Sequence, residues 1–130
     1  NYIEEFGGTG ICATYADVER DVKLIKSLGC NIIKVYGRPA SSYLIDICNK
    51  LGLLIMEEIP VFTVPSSILE TENFLQLAEN QLNETILAHK NNPCIFAFGI
   101  GNDFDVTGAA GQNYVKRLVS AARGLDNRLI

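Results

Sequence analysis

The chain has 130 residues, of which 48% are hydrophobic and 20% charged, which is enough for one domain with a buried core. A net charge of −4 excludes a broad basic surface for nucleic acid or anionic lipid. No apolar run reaches the roughly 18 residues that a membrane-spanning helix needs. We therefore expect neither nucleic acid nor a membrane as a partner. Asn1 is not an initiator methionine, and the sequence does not identify the cellular compartment.

Four cysteines are spread along the chain without a C-x-x-C pair: Cys12, Cys30, Cys48 and Cys94. Because apolar residues surround most of them, we expect four small buried side chains and no disulfide framework. Zinc requires clustered ligands, and the sequence contains only one histidine, His89. We therefore expect no metal site.

Three segments rich in apolar and β-branched residues predict buried strands: residues 31–36, 53–59 and 94–100. They are apolar almost throughout rather than alternating, which is typical of a parallel sheet covered on both faces. Residues 128–130 predict the start of a further strand.

Apolar residues at helical spacing predict four helices, which alternate with the strands. The first follows a T-x-x-D capping box, formed by Thr14 and Asp17. Gly29 and Gly52 stand where the first two helices are expected to end. The four helices are predicted at about residues 15–28, 41–51, 70–89 and 112–124.

This alternation of strands and helices predicts an α/β fold, either an open doubly wound sheet or part of a (β/α)₈ barrel. A complete barrel needs about 250 residues, so any barrel here is partial. Irregular segments at 60–67 and 101–111 both follow strands, on the side where α/β folds place their active sites.

The segment after the third predicted strand contains the tripeptide Gly101-Asn102-Asp103. Hydrolysis of a glycoside needs a carboxylic acid to protonate the leaving oxygen, and retention of configuration needs a second carboxylate about 5.5 Å away. A neighbouring amide can bind a sugar hydroxyl. Taken alone, the tripeptide is more typical of a solvated turn.

Four segments in order carry a resemblance to one family: Asn1-Tyr2, DVKLIKSLGCNIIKVYGRP (21–39), YLIDICNKLGLLIMEEIP (43–60) and NNPCIFAFGIGND (91–103). They resemble, in turn, the end of the first barrel strand, the second strand, the Gly-Leu segment with paired acidic residues, and the Asn-His-Pro-Ser to Gly-Asn-Glu signature of glycoside hydrolase family 2. This family includes β-galactosidases, β-glucuronidases and β-mannosidases. The resemblance implies that residues 1–130 are a fragment of a TIM barrel domain, running from about the end of strand one to the start of strand five.

The resemblance also implies a reaction, which is hydrolysis of β-glycosides with retention and without a cofactor. Asp103 falls at the position of the acid/base and Asn102 at the position that orients it and the substrate. The nucleophile would lie beyond Ile130. We therefore expect a carbohydrate as partner, and we expect the isolated chain to be inactive and to self-associate through unpaired strand edges.

Further substrate-binding candidates lie at the ends of the first two predicted strands. Glu57 and Glu58 are adjacent, so at most one faces the barrel interior. By resemblance Glu58 lies at the active-site end, and a structural ion pair with Lys34 is the alternative. Tyr36 and Arg38 lie where they can contact sugar, and a surface role is the alternative for Arg38.

Several positions depart from the family pattern. Asp103 replaces a glutamate, Lys34 an arginine, and Gly37 and Asn92 replace histidines. A second hypothesis is therefore a degenerate barrel that binds carbohydrate or scaffolds other domains. A third is a flavodoxin-like domain that binds a nucleotide or a protein, with residues 7–10 as its phosphate loop.

Three other patterns do not predict sites. Asp103-Phe104-Asp105 matches the D-x-D of glycosyltransferases, but no phosphate-binding loop accompanies it. Asn83 begins a glycosylation sequon in the middle of a predicted helix. His89, near the end of the same helix, is expected to be a helix cap rather than a ligand or base.

Overall fold

The computed structural model describes residues 2–3 and 12–130, so the glycine-rich segment 7–10 lies outside the described residues. The described part of the chain contains five helices and three strands, in the α/β order that the sequence predicts. The elements are α1 (Tyr15–Ser27), β1 (Ile32–Lys34), α2 (Ser42–Leu51), β2 (Leu54–Glu58), α3 (Ser66–Leu69), α4 (Glu72–His89), β3 (Ile95–Gly99) and α5 (Ala109–Arg123).

The three strands form one parallel sheet in the order β1-β2-β3. Single parallel bridges continue this order on both sides, Tyr2 with Val35 beside β1 and Leu129 with Ala97 beside β3. The Phe98 amide donates to the Leu129 carbonyl at 3.0 Å. Neighbours in the chain are therefore neighbours in the sheet, as in a barrel, rather than rearranged as in a doubly wound sheet.

The predicted helix signals are confirmed where they are local. The Asp17 amide donates to Thr14 Oγ1 at 3.3 Å and the Thr14 amide to Asp17 Oδ2 at 3.2 Å, which completes the capping box. Gly29 and Gly52 follow α1 and α2 with φ of +81° and +72°, a left-handed conformation that costs other residues more.

The two later helices begin at other residues than predicted. Thr71 is extended, so the predicted helix 70–89 begins at Glu72, and α3 is a separate short turn before it. Helix α5 begins at Ala109, earlier than predicted, and Gly111 in its first turn packs directly on the preceding loop. A Cβ at Gly111 would lie 1.9 Å from the Asp105 carbonyl oxygen, a contact that the apolar spacing does not reveal.

The prediction of four buried cysteines is half wrong. Cys48 and Cys94 are buried, but Cys12 and Cys30 are exposed. Cys30 lies in the turn between α1 and β1 and not in the strand, which begins at Ile32. Burial raises the pKa of Cys48 to about 12 and that of Cys94 to about 11, so both remain protonated thiols at neutral pH.

The core lies between the sheet and the surrounding helices, and its fully buried residues include Leu44, Ile55, Leu82 and Leu118. The apolar spacing 74, 78, 82 and 86 predicts one inward stripe on α4, and the structure buries Ala78, Leu82 and Ile86 but Phe74 only partly. Within the part of the chain that the structure describes, no helix combines the length and apolarity needed to cross a membrane.

Candidate active site

The predicted site residues collect at the carboxyl ends of the three strands, which we call the carboxyl edge of the sheet. Lys34 is the last residue of β1 and Glu58 the last of β2, while Asn102 and Asp103 follow β3. Because the three strands are parallel, their carboxyl ends share this edge. Tyr36 lies just beyond β1 on the same side. The structure thus brings together residues that are up to 69 positions apart in the chain, from 34 to 103.

Lys34 and Glu58 form an ion pair across the two neighbouring strands. Lys34 Nζ lies 3.1 Å from Glu58 Oε2, and the Glu58 side chain is only 2% exposed. The Gly37 amide donates to Glu58 Oε1 at 2.9 Å. Oε2 accepts no aligned hydrogen bond from the described residues, so the nearby ammonium charge is what compensates its burial. The structure therefore contains the ion pair between Glu58 and Lys34 that the sequence analysis gave as the alternative to a substrate-binding role for Glu58.

A glycine on β3 makes room for Glu58. Glu58 pairs with Gly99 in the sheet, and a Cβ at Gly99 would lie 2.6 Å from the Cβ of Glu58. Real Cβ atoms do not approach so closely, so a larger residue would displace one of the two strands. The carboxylate of Glu58 is therefore held at this edge by close packing as well as by charge.

Glu57 points to the opposite face of β2, as the alternation of a strand predicts. It is fully buried, accepts a hydrogen bond from the Ala40 amide at 2.8 Å, and lies 2.9 Å from His89 Nδ1. The hydrogen bond to Glu57 raises the pKa of His89, although burial of the ring opposes this. His89 is the last residue of α4, but the prediction of a simple helix cap is wrong, because its ring pairs with a buried carboxylate.

The two glutamates together hold the segment after β1 at both of its ends. Glu58 accepts from the Gly37 amide and Glu57 from the Ala40 amide. Arg38 lies between these two anchors and is partly buried. This fixed segment is how the fold positions Arg38 at the edge of the sheet.

Asn102 and Asp103 are positioned by backbone contacts with the segment after β2. The Asn102 amide donates to the Val61 carbonyl at 2.8 Å, and the Thr63 amide donates to the Asn102 carbonyl at 3.3 Å. Asn102 Nδ2 donates to Asp103 Oδ2 at 3.3 Å. Asp103 itself is exposed, so its carboxyl group is accessible for proton transfer.

The backbone on both sides of this contact is strained. Thr63 has a φ of +55° and Asp103 a φ of +53°, and they are the only non-glycine residues with positive φ in the described ranges 2–3 and 12–130. Such conformations cost on the order of 1–3 kcal/mol and cluster at functional sites. Below them, the Tyr114 hydroxyl donates to the Ile100 carbonyl at 2.6 Å and fixes the end of β3.

An aromatic residue that the sequence analysis missed lies in the middle of this edge. Phe62 is 48% exposed, and its ring centroid lies 6.0 Å from that of Tyr36. Its backbone bridges to Asn102. The sequence signal that could have identified Phe62 is its place in the irregular segment 60–67, which follows β2 on the side where the site is expected.

The arrangement can perform limited chemistry by itself. It offers one accessible carboxyl group, Asp103, beside an amide, whereas the Glu58 carboxylate is buried and paired with Lys34. No group of three or more His, Cys, Asp or Glu side chains suited to a metal ion occurs among residues 2–3 and 12–130. The described site thus supplies one accessible carboxyl group with hydrogen-bonding and aromatic groups around it.

Comparison with known proteins places this geometry in a family. Over residues 3–130 the chain matches the model for glycosyl hydrolases family 2, TIM barrel domain. It is 31% identical to a β-glucuronidase of Bacteroides fragilis over 113 residues, covering 83% of this chain and 16% of that protein. It is 28% identical to a β-galactosidase of Bacteroides ovatus over 101 residues, covering 76% of this chain and 12% of that protein.

The solved structures agree with this result. The crystal structure of a β-glucuronidase from Parabacteroides merdae superposes with a TM-score of 0.80 at 26% identity, covering 97% of this chain and 17% of that one. The chain spans 12% to 16% of the length of the two curated relatives above. A family model that matches nearly the whole chain and a fold shared over 97% of it lead to one conclusion: the chain belongs to glycosyl hydrolase family 2, where it corresponds to part of the TIM barrel domain.

Proposed function

We propose that this chain is the part of a retaining β-glycosidase that carries the acid/base residue, Asp103. Residues 1–130 then form a fragment of the TIM barrel domain, with Tyr2 in the first barrel strand and Leu129 in the fifth. The single bridges that Tyr2 and Leu129 make on either side of the three-stranded sheet support this extent.

The observation that carries the proposal is the position of Asp103. Its carboxyl group is exposed at the carboxyl edge of the sheet and accepts from the Asn102 amide group. There it protonates the glycosidic oxygen as the leaving group departs, and later takes a proton from the water that releases the sugar. Asn102 orients Asp103 and binds a sugar hydroxyl.

A retaining reaction also needs a nucleophilic carboxylate about 5–5.5 Å from the acid. Glu58 does not suit this role, because it is buried, anchored to Gly37 and paired with Lys34. We therefore assign the nucleophile to a part of the complete protein beyond Ile130. The chemistry needs no cofactor.

The substrate is proposed from the relatives. They are named as β-glucuronidases and β-galactosidases, so we propose β-glycosides of hexoses or hexuronic acids. Tyr36 and Arg38 contact the sugar directly. Lys34 and Glu58 shape the floor of the site as a pair.

The main competing function is a degenerate barrel that binds carbohydrate without cleaving it. Aspartate in place of glutamate at position 103 and glycine in place of histidine at position 37 favour this alternative. The flavodoxin-like alternative is set aside, because the family match covers residues 3–130.

The test is hydrolysis of aryl β-glucuronides and β-galactosides by the complete protein, with the anomer of the first-formed product followed by NMR. The proposal expects turnover with retention, and Asp103→Asn is expected to lower kcat on a poorly activated glycoside by about 100-fold or more. Asp105→Asn is the matched control, since Asp105 is an exposed carboxylate two residues away. An unchanged kcat of Asp103→Asn on the poorly activated glycoside, or carbohydrate binding without turnover in the wild type, contradicts the proposal.

A further inference from the structure

Phe62 is an exposed aromatic residue whose position is fixed from both sides. The Val61 carbonyl accepts from the Asn102 amide, and the Thr63 amide donates to the Asn102 carbonyl. Thr63 adopts a φ of +55° next to it. The backbone around Phe62 is therefore tied to the residue proposed to bind a sugar hydroxyl, while the ring itself stays 48% exposed.

The ring of Phe62 belongs to a pair. Its centroid lies 6.0 Å from that of Tyr36, with 39° between the ring planes. The ring of Phe62 also lies over Gly37, where a Cβ would lie 3.6 Å from Phe62 Cε1, an ordinary van der Waals contact. Lys34 Nζ lies 5.8 Å from the centroid of the Tyr36 ring, which is cation–π distance. Two rings, a cation and an amide thus surround one edge of the sheet.

The chemistry of this pair suits one face of a pyranose ring. Aromatic faces carry negative charge density, and the axial C–H groups of a sugar are apolar and weakly positive. Binding sites combine such apolar surfaces with a few polar groups that fix orientation. Asn102 provides a polar group directly beside Phe62, through the parallel bridge between the two residues.

We propose that Phe62 is a substrate-positioning residue, and that Tyr36 and Phe62 together form a platform on which the apolar face of the sugar ring stacks. This inference rests on the proposed function and adds to it a residue, the Phe62 ring, that binds the sugar beside Asp103. Phe62 transfers no proton and forms no bond. It acts by holding the sugar in the ground state and in the transition state alike, so its loss raises KM and leaves kcat nearly unchanged.

The experiment compares four variants of the complete protein: Phe62→Ala, Phe62→Leu, Phe62→Tyr and Tyr43→Ala. Tyr43→Ala is the matched control, because Tyr43 is 46% exposed and also packs on a second ring, Tyr15, but lies on α2. The readouts are KM and kcat for aryl glycosides, and the affinities for free glucuronate and galactose from calorimetry.

The proposal expects Phe62→Ala and Phe62→Leu to raise KM and weaken monosaccharide binding by about 10-fold, which corresponds to about 1.4 kcal/mol. Phe62→Tyr keeps a flat ring and should stay within about threefold of wild type. Tyr43→Ala should match wild type.

Four results overturn the proposal. If Phe62→Leu has the same KM and monosaccharide affinity as wild type, the side chain makes a simple apolar contact with the sugar and does not stack on it. A KM effect with unchanged monosaccharide affinity places the ring against the leaving group. Unchanged KM and affinity in Phe62→Ala remove the platform altogether, while loss of turnover in Asp103→Asn would leave the proposed function standing. A protein that turns over no glycoside but binds monosaccharide about 10-fold more weakly after Phe62→Ala would refute the proposed function and support the platform. Absence of both turnover and binding refutes both.

Discussion

Lys34 Nζ lies 3.1 Å from Glu58 Oε2, and the side chain of Glu58 is almost completely buried while that of Lys34 is 28% exposed. The pair joins the ends of β1 and β2 at the edge where Asn102 and Asp103 follow β3. An isolated carboxylate could not be buried there without a large desolvation cost. The ion pair therefore makes a buried acid possible beside the candidate active site.

Removal of the lysine charge is expected to destabilise the protein. Lys34→Met leaves Glu58 buried and unpaired, and the free energy of unfolding should fall by about 1–3 kcal/mol. Adding Glu58→Gln, which removes the orphaned charge, should recover part of the loss. Urea unfolding of the complete protein measures both variants. If Lys34→Met is as stable as wild type, the ion pair does not compensate the burial of Glu58.

The contact between His89 and Glu57 predicts a dependence of stability on pH. The pKa of His89 is raised in the folded state from its ordinary value of 6.5, by its hydrogen bond to Glu57. A raised folded-state pKa stabilises the fold fully below the unfolded pKa, and this contribution is lost as the pH rises through the folded pKa.

His89→Gln is the variant that isolates this effect. Its stability relative to wild type should be lowest below the ordinary histidine pKa of 6.5, and it should approach wild type as the pH rises through the raised pKa of folded His89. Urea unfolding of both proteins across this range gives the comparison. A stability difference that does not change with pH would mean that the contact with Glu57 does not raise the pKa of His89.

The close approach of Gly99 and Glu58 predicts a strong effect of a single methyl group. Gly99→Ala places a Cβ 2.6 Å from that of Glu58, and the strands should shift at a cost of about 1–3 kcal/mol. Gly124→Ala is the control, because Gly124 has an ordinary φ of −68° and an added Cβ meets the Ala121 carbonyl oxygen at 3.3 Å, a tight contact that needs a much smaller adjustment than the one at Gly99. Equal stability of the two variants would contradict the packing account.

The isolated chain is expected to self-associate. Ile32 and Leu54 are 48% and 38% exposed on neighbouring strands of the sheet, and Leu129 is 60% exposed beside β3. Surfaces of this kind, next to incompletely paired strands, favour association. Light scattering at rising concentration should show an increasing mean mass, and a constant monomer mass would refute the expectation.

The parts of this structure that the sequence predicts are those with local or periodic causes. The capping box of Thr14 and Asp17 and the glycine after each of the first two helices depend on nearby residues only. The parallel sheet follows from the continuous apolar character of its strands. The buried positions of α4 follow from its helical spacing.

The remaining features depend on contacts between distant residues, which no local pattern specifies. His89 meets Glu57 from 32 positions away, and the sequence offered the ion pair of Glu58 with Lys34 only as one of two alternatives. The exposed position of Cys30 depends on where β1 begins, and the position of Phe62 beside the candidate site depends on its bridge to Asn102. The sequence could place Asn102 and Asp103 at a strand end, but not show which side chains surround them.

The central claim is that Asp103 is the acid/base, and its short side chain offers a direct test. Aspartate holds its carboxyl group about 1 Å further from the glycosidic oxygen than glutamate, and a displacement of that size can cost on the order of 100-fold in rate. Asp103→Glu in the complete protein should therefore raise activity. Asp105→Glu is the control and should leave it unchanged.

The decisive measurement compares kcat/KM of wild type and Asp103→Glu on two glycosides of the same sugar, one with a good and one with a poor leaving group. A good leaving group needs little protonation, whereas general acid catalysis contributes about 100- to 10,000-fold where protonation is needed. The account predicts a gain for Asp103→Glu that is clearly larger on the poor leaving group. An equal gain on both glycosides, or no gain on either, would contradict the assignment of Asp103 as the acid/base.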